Sequence, residues 1–237
     1  MKIKNLLKII SLLLVILIVA SCLKDKKESE INGFVIGTLF NKNDSIYVIS
    51  DTLKGTNGAE IRYYFENEDT LKDVNTGSRV YFAFKLIKER EKLNYLVECL
   101  YFTTIPIRKI VYVEEDDIEI RDTLAGNPLS LINLSISHDF LNIGIQISYD
   151  NPDLHLLYVT KDALDQDTAK IDEVTLNLYH KDIEDKFSYF KKGLFYISVP
   201  IKELQDFYPE NDTIYIRVLS KIENQSSSSM RIMYEKK

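Results

Sequence analysis

The sequence predicts an all-β protein of two domains, an OB-like five-stranded barrel followed by an antiparallel β-sandwich. Short runs of alternating apolar and polar residues recur along most of the chain, and turn-forming residues separate them. Aromatic residues are abundant, with 15 Tyr and 11 Phe against only 8 Gly and 5 Pro. Hydrophobic residues make up 45% of the 237 residues, which excludes wholesale disorder, and the excess of aromatic residues over glycine and proline favours a β-rich globule.

The first domain is predicted over residues 32–106, because five strand-like runs fall within about 70 residues, as in small barrels. Residues Asn41 to Asp44, Lys54 to Gly58 and Asn75 to Ser78 supply the turns between them. The predicted strands are Phe34–Phe40, Ser45–Ser50, Glu60–Phe65, Arg79–Ile87 and Leu93–Phe102.

The second domain is predicted over residues 127–237, after a linker region at 107–126 that contains the acidic run Glu114 to Asp117. Seven short alternating runs follow, which is typical of an antiparallel sandwich. His138-Asp139 is predicted to close a tight hairpin, and Pro200 to Phe207 to form a helical turn. The predicted strands are Ile132–Ile136, Leu141–Ile147, Leu154–Thr160, Val174–His180, Gly193–Val199, Thr213–Ser220 and Met230–Tyr234.

The N-terminus has the features of an export signal over residues 1–21. Its apolar run from Ile9 to Ala20 would span about 18 Å as a helix, too short for a bilayer core of about 30 Å. The run ends in Val19-Ala20-Ser21-Cys22, which is typical of a bacterial lipobox. We expect cleavage between Ser21 and Cys22, acylation of Cys22 and anchoring in the outer membrane through a flexible tether at 22–31. The alternative is a signal anchor with an incidental cysteine. The mixed charges of the tether leave open whether the protein faces the periplasm or the cell surface.

The charge of the chain excludes two classes of partner. Thirty Lys+Arg against 36 Asp+Glu give a net charge of −6, and loss of Lys2, Lys4 and Lys8 with the signal would take it to −9. Nucleic-acid binding needs cationic side chains that displace counterions, so no nucleic acid is expected as a partner. A polybasic membrane-binding face is excluded by the same charge, and membrane contact is expected through the lipid anchor.

Several stretches resemble the NigD-like family of Bacteroidetes lipoproteins. They are Gly77 to Phe82, Asn127-Pro128, Asp139 to Ile143, Val174 to Asp182 and Gly193 to Val199. Many relatives have Arg-His where this chain has Tyr179-His180. The resemblance implies a lipid-anchored N-terminus, an OB-type domain and a C-terminal sandwich. It brings no catalytic residues, because the family has no established activity; a role in bacteriocin immunity has been suggested from gene neighbourhood.

The residue patterns that could carry chemistry are weak, and no catalytic residue, metal site or cofactor is predicted. Ser137-His138-Asp139 contains the three residue types of a hydrolase catalytic triad. Neighbouring residues on a strand point to opposite faces, so these three side chains cannot line up as a relay. His155 and His180 could meet around a metal, although two histidines are a small ligand set. Asp165 to Asp167 lacks the glycine and distal glutamate of a calcium loop. Cys99 would be the one thiol left after lipidation, and we expect a small buried hydrophobe without a disulfide.

A short motif occurs six times, namely Asp followed by Ser or Thr and then a small or apolar residue. It resembles the O-glycosylation motif of exported Bacteroidetes proteins. The alternative is structural, since Asp commonly ends a turn and a β-branched Thr begins a strand. The candidate acceptors are Ser45, Thr52, Thr70, Thr123, Thr168 and Thr213.

These observations predict a non-enzymatic envelope lipoprotein that binds a protein or glycan partner. A bacteriocin immunity or envelope-protection factor is the first alternative, and a hydrolase with a site at the domain junction is the weakest.

Overall fold

A computed structural model gives the structure of the chain. It describes residues 32–42, 45–54, 59–114, 117, 124, 126–137, 139–149, 151, 155–163, 172–183, 191–205, 212–220 and 228–235. The predicted signal, the lipidation site at Cys22 and the tether therefore lie outside the described residues, as do the Asp165 to Asp167 run and the candidate acceptors Thr123 and Thr168.

The N-terminal domain is a closed barrel, which confirms the OB-like prediction. Its strands are hydrogen-bonded in the order β1-β2-β3-β5-β4, and β4 pairs back onto β1 to close the ring. All pairings are antiparallel except that of β3 with β5. The strands are β1 (Gly33–Lys42), β2 (Ser45–Lys54), β3 (Glu60–Phe65), β4 (Arg79–Glu91) and β5 (Asn94–Thr104).

Alternation along β4 explains the barrel interior. Val80, Phe82 and Phe84 point inward and are buried, while Arg79 and Tyr81 belong to the outer face. A 3₁₀ helix at Glu68–Leu71, which the sequence analysis did not identify, adds the fully buried Leu71 to this core.

The C-terminal domain is a sandwich of a five-stranded and a three-stranded sheet. The larger sheet has the order β13-β12-β10-β9-β6, and the smaller one β11-β8-β7. Two pairings, β10 with β12 and β6 with β9, are parallel, a detail that side-chain alternation does not reveal. The elements are β6 (Ile110–Val113), β7 (Ser130–Ser137), β8 (Phe140–Tyr149), β9 (His155–Asp162), β10 (Glu173–Asp182), β11 (Lys191–Pro200), helix α1 (Lys202–Gln205), β12 (Thr213–Ser220) and β13 (Ser229–Glu235).

The connection between the domains contains structure that the sequence analysis did not predict. Strand β6 lies within the range predicted as a linker and forms one edge of the larger sheet. Just before it, Ile107 makes an isolated parallel bridge with Ser198 of β11. The chain thus passes along the edge of the smaller sheet before it enters the larger one.

The two faces of β8 separate the core from the domain junction. Leu141, Ile143, Ile145 and Ile147 are buried in the sandwich core, as their alternation predicts. Asn142 lies on the opposite face, yet it is only 1% exposed because that face packs against the barrel. In the described part of the chain, no helix is both long enough and apolar enough to span a membrane.

Candidate functional site

A crevice of about 490 Å³ lies where the barrel meets the open side of the sandwich. Strand β5 forms the barrel wall, and strands β11 and β9 contribute one wall from each sheet of the sandwich. The residues that give it chemical character are Tyr81, Tyr101, Arg108, Tyr149, His155 and Tyr196. We call this site the junction crevice; its volume is typical of pockets that hold small ligands or short segments of a partner.

Aromatic rings from both domains form one wall of the junction crevice. Tyr81 of β4 stacks on Tyr196 of β11, with ring centroids 5.2 Å apart and planes 24° apart. Tyr101 meets Tyr81 edge to face at 6.2 Å and is 55% exposed. Burial, and then the neighbouring Tyr196 and Tyr101, raise the pKa of Tyr81, which keeps its hydroxyl protonated. This wall offers flat apolar faces bordered by hydroxyl groups.

A second aromatic group lies on the sandwich side. Tyr149 contacts Phe195 edge to face at 5.3 Å, and the His155 ring in the same manner at 6.3 Å. The ring of Tyr149 lies over the backbone of Gly193, where a Cβ atom would come within 2.5 Å of it. Glycine at this point of β11 therefore allows the aromatic ring to cover the strand.

Arg108 gives the junction crevice its charge. Its backbone N–H donates to the Ser198 carbonyl at 2.8 Å, which fixes the position of the residue. Its side-chain Nε is buried and has no hydrogen-bond partner among the residues that the structure describes. No carboxylate is found among the residues lining the crevice in the described part of the chain. The site therefore favours an anionic or hydrogen-bond-accepting group.

The two histidines considered as metal ligands do come together at the edge of the junction crevice. His155 Nδ1 and His180 Nε2 are 2.7 Å apart, and His180 Nδ1 lies 3.2 Å from the Pro128 carbonyl. The carbonyl can only accept, so His180 Nδ1 carries the proton and His155 donates to His180 Nε2. Burial lowers the pKa of His180, which favours this neutral arrangement.

This pair is a hydrogen-bonded unit rather than a set of free ligands. The described residues contain no group of three or more His, Cys, Asp or Glu side chains placed to hold a metal ion. His180 directs one ring nitrogen at a backbone carbonyl and the other at His155, which leaves it no free lone pair. The pair holds β9 and β10 to the segment around Pro128.

A buried arginine fixes the two domains to one another beside the junction crevice. Arg79 is 1% exposed and forms an ion pair with Asp51 of β2. The same guanidinium donates to Asn142 Oδ1 at 2.8 Å and to Thr38 Oγ1 at 2.8 Å. Ser198 donates to Asn142 Oδ1 at 2.7 Å and so extends the network to β11. We call these five residues the junction clamp.

The clamp is a buried polar network, in which Arg79, Asn142 and Ser198 are at most 1% exposed. The Phe140 ring lies 4.7 Å from the Arg79 guanidinium carbon and covers it from the sandwich side. The ion pair with Asp51 lies within the barrel, so the clamp joins the two domains through the charge-assisted hydrogen bond from Arg79 to Asn142, and this bond favours the observed arrangement of the domains. The sequence analysis did not predict the clamp. Arg79 lies within the family-like stretch Gly77 to Phe82, and Asp51 belongs to the motif of the candidate acceptor Thr52.

Ser137 and Asp139 line a separate cavity of about 360 Å³ together with Asp51 and Glu60. The Ser137 hydroxyl donates to the Phe140 carbonyl at 3.3 Å across the two-residue hairpin that joins β7 and β8. Its hydrogen bond therefore stabilises the turn, as the tight-hairpin interpretation expects. His138 lies outside the described residues.

Cys99 and the remaining glycosylation candidates are not among the residues that line the junction crevice. Cys99 is half-buried in β5, its Sγ is 3.5 Å from the Tyr101 carbonyl, and burial raises the pKa of its thiol. Ser45, Thr52 and Thr213 lie on strands, and Thr70 lies in the 3₁₀ helix. The exposed Asp212 directly precedes β12, which matches the turn-then-strand alternative.

Comparison with known proteins identifies the sandwich. The profile of the NigD-like C-terminal beta sandwich domain matches residues 109–232, more than half of the chain. The match begins one residue before β6, so it includes the strand found within the predicted linker. No curated protein matches the chain.

Solved structures share the fold over most of the chain. A NigD-like immunity protein from Bacteroides caccae is 17% identical, covers 89% of this chain and 99% of its own, and has a TM-score of 0.59. A protein of unknown function from Bacteroides vulgatus is 15% identical, with 85% and 90% covered and a TM-score of 0.60. A candidate lipoprotein from Bacteroides fragilis is 11% identical, with 86% and 98% covered and a TM-score of 0.58. The TM-scores show a common fold. The sandwich match over more than half of the chain establishes that the chain belongs to the NigD-like family.

Proposed function

We propose that this protein is a non-enzymatic, lipid-anchored protein of the cell envelope that binds a protein or glycan partner in the junction crevice. The observation that carries the proposal is the crevice itself, which is lined by aromatic rings from two domains and by Arg108, whose buried Nε has no hydrogen-bond partner among the described residues. A rigid aromatic surface beside one charged group is the usual composition of a recognition site.

The chemistry of the crevice supports binding rather than catalysis. Covalent catalysis needs a nucleophile within hydrogen-bonding reach of a base. In the described residues, His155 directs its Nδ1 at His180, and the Cys99 thiol has a raised pKa and lies outside the crevice lining. The hydroxyl of Tyr81 likewise has a raised pKa.

The anchor is a separate part of the proposal. The lipobox-like Val19 to Cys22 and the likeness to a candidate lipoprotein support acylation at Cys22. Labelled palmitate fed to native-host cells should enter the wild-type protein and the matched Cys99→Ser variant, and should be absent from Cys22→Ser. Fractionation should place the labelled protein in the outer membrane. Equal labelling of wild type and Cys22→Ser would contradict this part.

The binding part is tested by photocrosslinking in living cells. A photoreactive amino acid at Tyr101, an exposed residue of the crevice, should capture one dominant partner. The same group at Met233, which is 51% exposed on β13, is the matched control and should not capture it. Adding Arg108→Gln to the Tyr101 probe should remove most of the adduct. Identical adducts from the two positions would show that the crevice does not bind the partner.

An immunity or envelope-protection role is the second candidate, and the relative from Bacteroides caccae named an immunity protein favours it. In that case the captured partner would be a secreted toxin. Cells lacking the gene should be killed by a bacteriocin-producing neighbour at a lower dose than wild type, and Arg108→Gln should fail to restore protection. Equal sensitivity of the deleted and wild-type cells would count against this role.

A further inference from the structure

In the part of the chain that the structure describes, strand β11 has a free edge that faces the junction crevice. It is the terminal strand of the smaller sheet, and its whole length pairs with β8 on the other side without a register shift. The bridge from Ile107 covers the free edge at Ser198. Toward the beginning of the strand, Gly193 to Tyr196 line the crevice.

The direction of the free backbone groups follows from this bridge. Ser198 donates its N–H to the Pro106 carbonyl at 3.0 Å and accepts from Arg108 N–H at 2.8 Å, so both its backbone groups point away from β8. Because this direction alternates along a strand, the N–H and C=O groups of Leu194 and Tyr196 point the same way. Among the described residues, neither has a partner on that side.

The opposite wall of the sandwich is open at the same place. β6 pairs with β9 only from Val159 onward, so the outer edge of β9 from His155 to Tyr158 is not covered by β6. The space between the two sheets reaches the apolar side chains of Ile147 and Leu157. Uncovered strand edges beside apolar pockets suit the addition of an extended peptide.

The charges around this edge indicate the composition of such a peptide. Arg108 lines the crevice, Lys109 follows it, and Lys191 and Lys192 are exposed at the beginning of β11. Arg108 and Lys109 lie beside Ser198 near one end of β11 and the two lysines at its other end, and no carboxylate lines the crevice in the described part of the chain. An acidic segment therefore matches the surface better than a neutral or basic one.

We propose that the junction crevice binds an extended acidic segment of a partner polypeptide, which adds as a strand to β11. Its backbone pairs with the outward groups of Leu194 and Tyr196, and one of its carboxylates binds the Arg108 guanidinium. This inference rests on the proposed binding function and narrows the partner to a polypeptide.

The test begins with a displayed library of random ten-residue peptides selected on the full chain in detergent micelles. Peptides rich in Asp and Glu should be enriched, and each selected peptide is then compared with its version in which Gln and Asn replace the acids. Arg108→Gln should weaken binding of the acidic peptide by about tenfold or more, and should leave the affinity of the amide version unchanged.

Backbone pairing between β11 and the peptide is tested by changing each of them in turn. Leu194→Pro removes an outward N–H at an exposed edge position, so binding should be lost, while Leu194→Ala should bind within about threefold of wild type. Independently of any effect on folding, peptides N-methylated at alternate residues should lose binding in one of the two alternations only. Enrichment of basic peptides, no enrichment, or equal binding by both N-methylated series would overturn the inference.

Crosslinking from Tyr101 distinguishes failure of the peptide-binding inference from failure of the proposed binding function. Capture of a glycan there, with no peptide selected, would keep the binding function and overturn the polypeptide inference. Failure of both experiments would overturn both.

Discussion

The barrel and the sandwich bury different kinds of core and differ in their free edges. The barrel interior contains the aromatic residues Tyr63, Phe65, Phe82 and Phe84, whereas the buried sandwich cluster consists, among the described residues, only of Leu, Ile and Val. The barrel strands close on themselves, so its sheet has no free edge; the sandwich sheets end at β6, β13, β7 and β11. Closure removes the sites at which another strand can pair, and open sheets retain them.

This difference separates two roles within one chain. The barrel contributes a rigid wall, Tyr81 and Tyr101, to the junction crevice, and the sandwich contributes the free backbone of β11 and the charge beside it. The junction clamp holds the barrel wall and strand β11 in fixed relative positions. The comparison predicts that a substitution in the clamp should destabilise both domains, whereas a substitution elsewhere should destabilise only the domain that contains it.

The largest effect is expected from Arg79→Met. It leaves the Asp51 carboxylate buried at 8% exposure without its cation, which costs about 3 to 5 kcal/mol of unfolding free energy. Denaturant unfolding followed by Tyr fluorescence should show the loss, and crevice crosslinking from Tyr101 should fall with it. The double variant Arg79→Met, Asp51→Leu removes both charges and should recover much of the stability. A double variant as unstable as the single one would show that the ion pair is not the cause.

The second prediction compares the stability lost when one ion pair is broken in each domain. Glu173 in the sandwich is 8% exposed and accepts from Arg231 at 2.8 Å, so Glu173→Gln should cost about 2 kcal/mol. The matched barrel variant Asp69→Asn breaks the contact with Lys72, where both side chains are largely exposed, and should have no measurable effect on stability. Thermal unfolding of both variants checks the contrast. A larger loss for Asp69→Asn would contradict the argument from burial.

Much of the fold could be predicted because alternation along a strand records which side chains face a core. The junction could not, since Asn142, Ser198 and Arg79 lie on faces whose polar residues look solvent-exposed in the sequence. Only the docking of a second domain reveals that such a face is buried. Strand β6 was missed for a different reason: its four residues are too few for a periodic pattern and are followed directly by an acidic residue.

The crevice was also only partly visible in the sequence. The pairing of His155 with His180 follows from the register in which Asp182 lies opposite His155 and His180 opposite Leu157, and no sequence spacing encodes that register. Arg108 was passed over because it stands in a connecting segment. The bridge at Ile107 gives that segment its fixed position, and bridges between distant residues leave no local signal.

The smallest effect is a pH dependence that belongs to the sandwich alone. Burial lowers the pKa of His180 in the folded state. The hydrogen bond to the Pro128 carbonyl opposes this shift, His155 adds to it, and Asp182 opposes it. The unfolded chain then binds the proton more readily, so stability from this group is complete above its unfolded pKa of about 6.5 and falls as the pH drops below that value. At pH 5.5, one unit below, the loss can reach at most about 1.4 kcal/mol.

Thermal unfolding at pH 7.5 and 5.5 measures this loss, and His180→Gln is the variant that should reduce it. A Gln side chain can still donate to the Pro128 carbonyl, but it does not titrate. The midpoint of barrel unfolding should differ little between the two pH values in either protein. If the variant keeps the full pH dependence of the wild type, the titrating group lies elsewhere, and the difference between the domains would have to be explained by carboxylates instead.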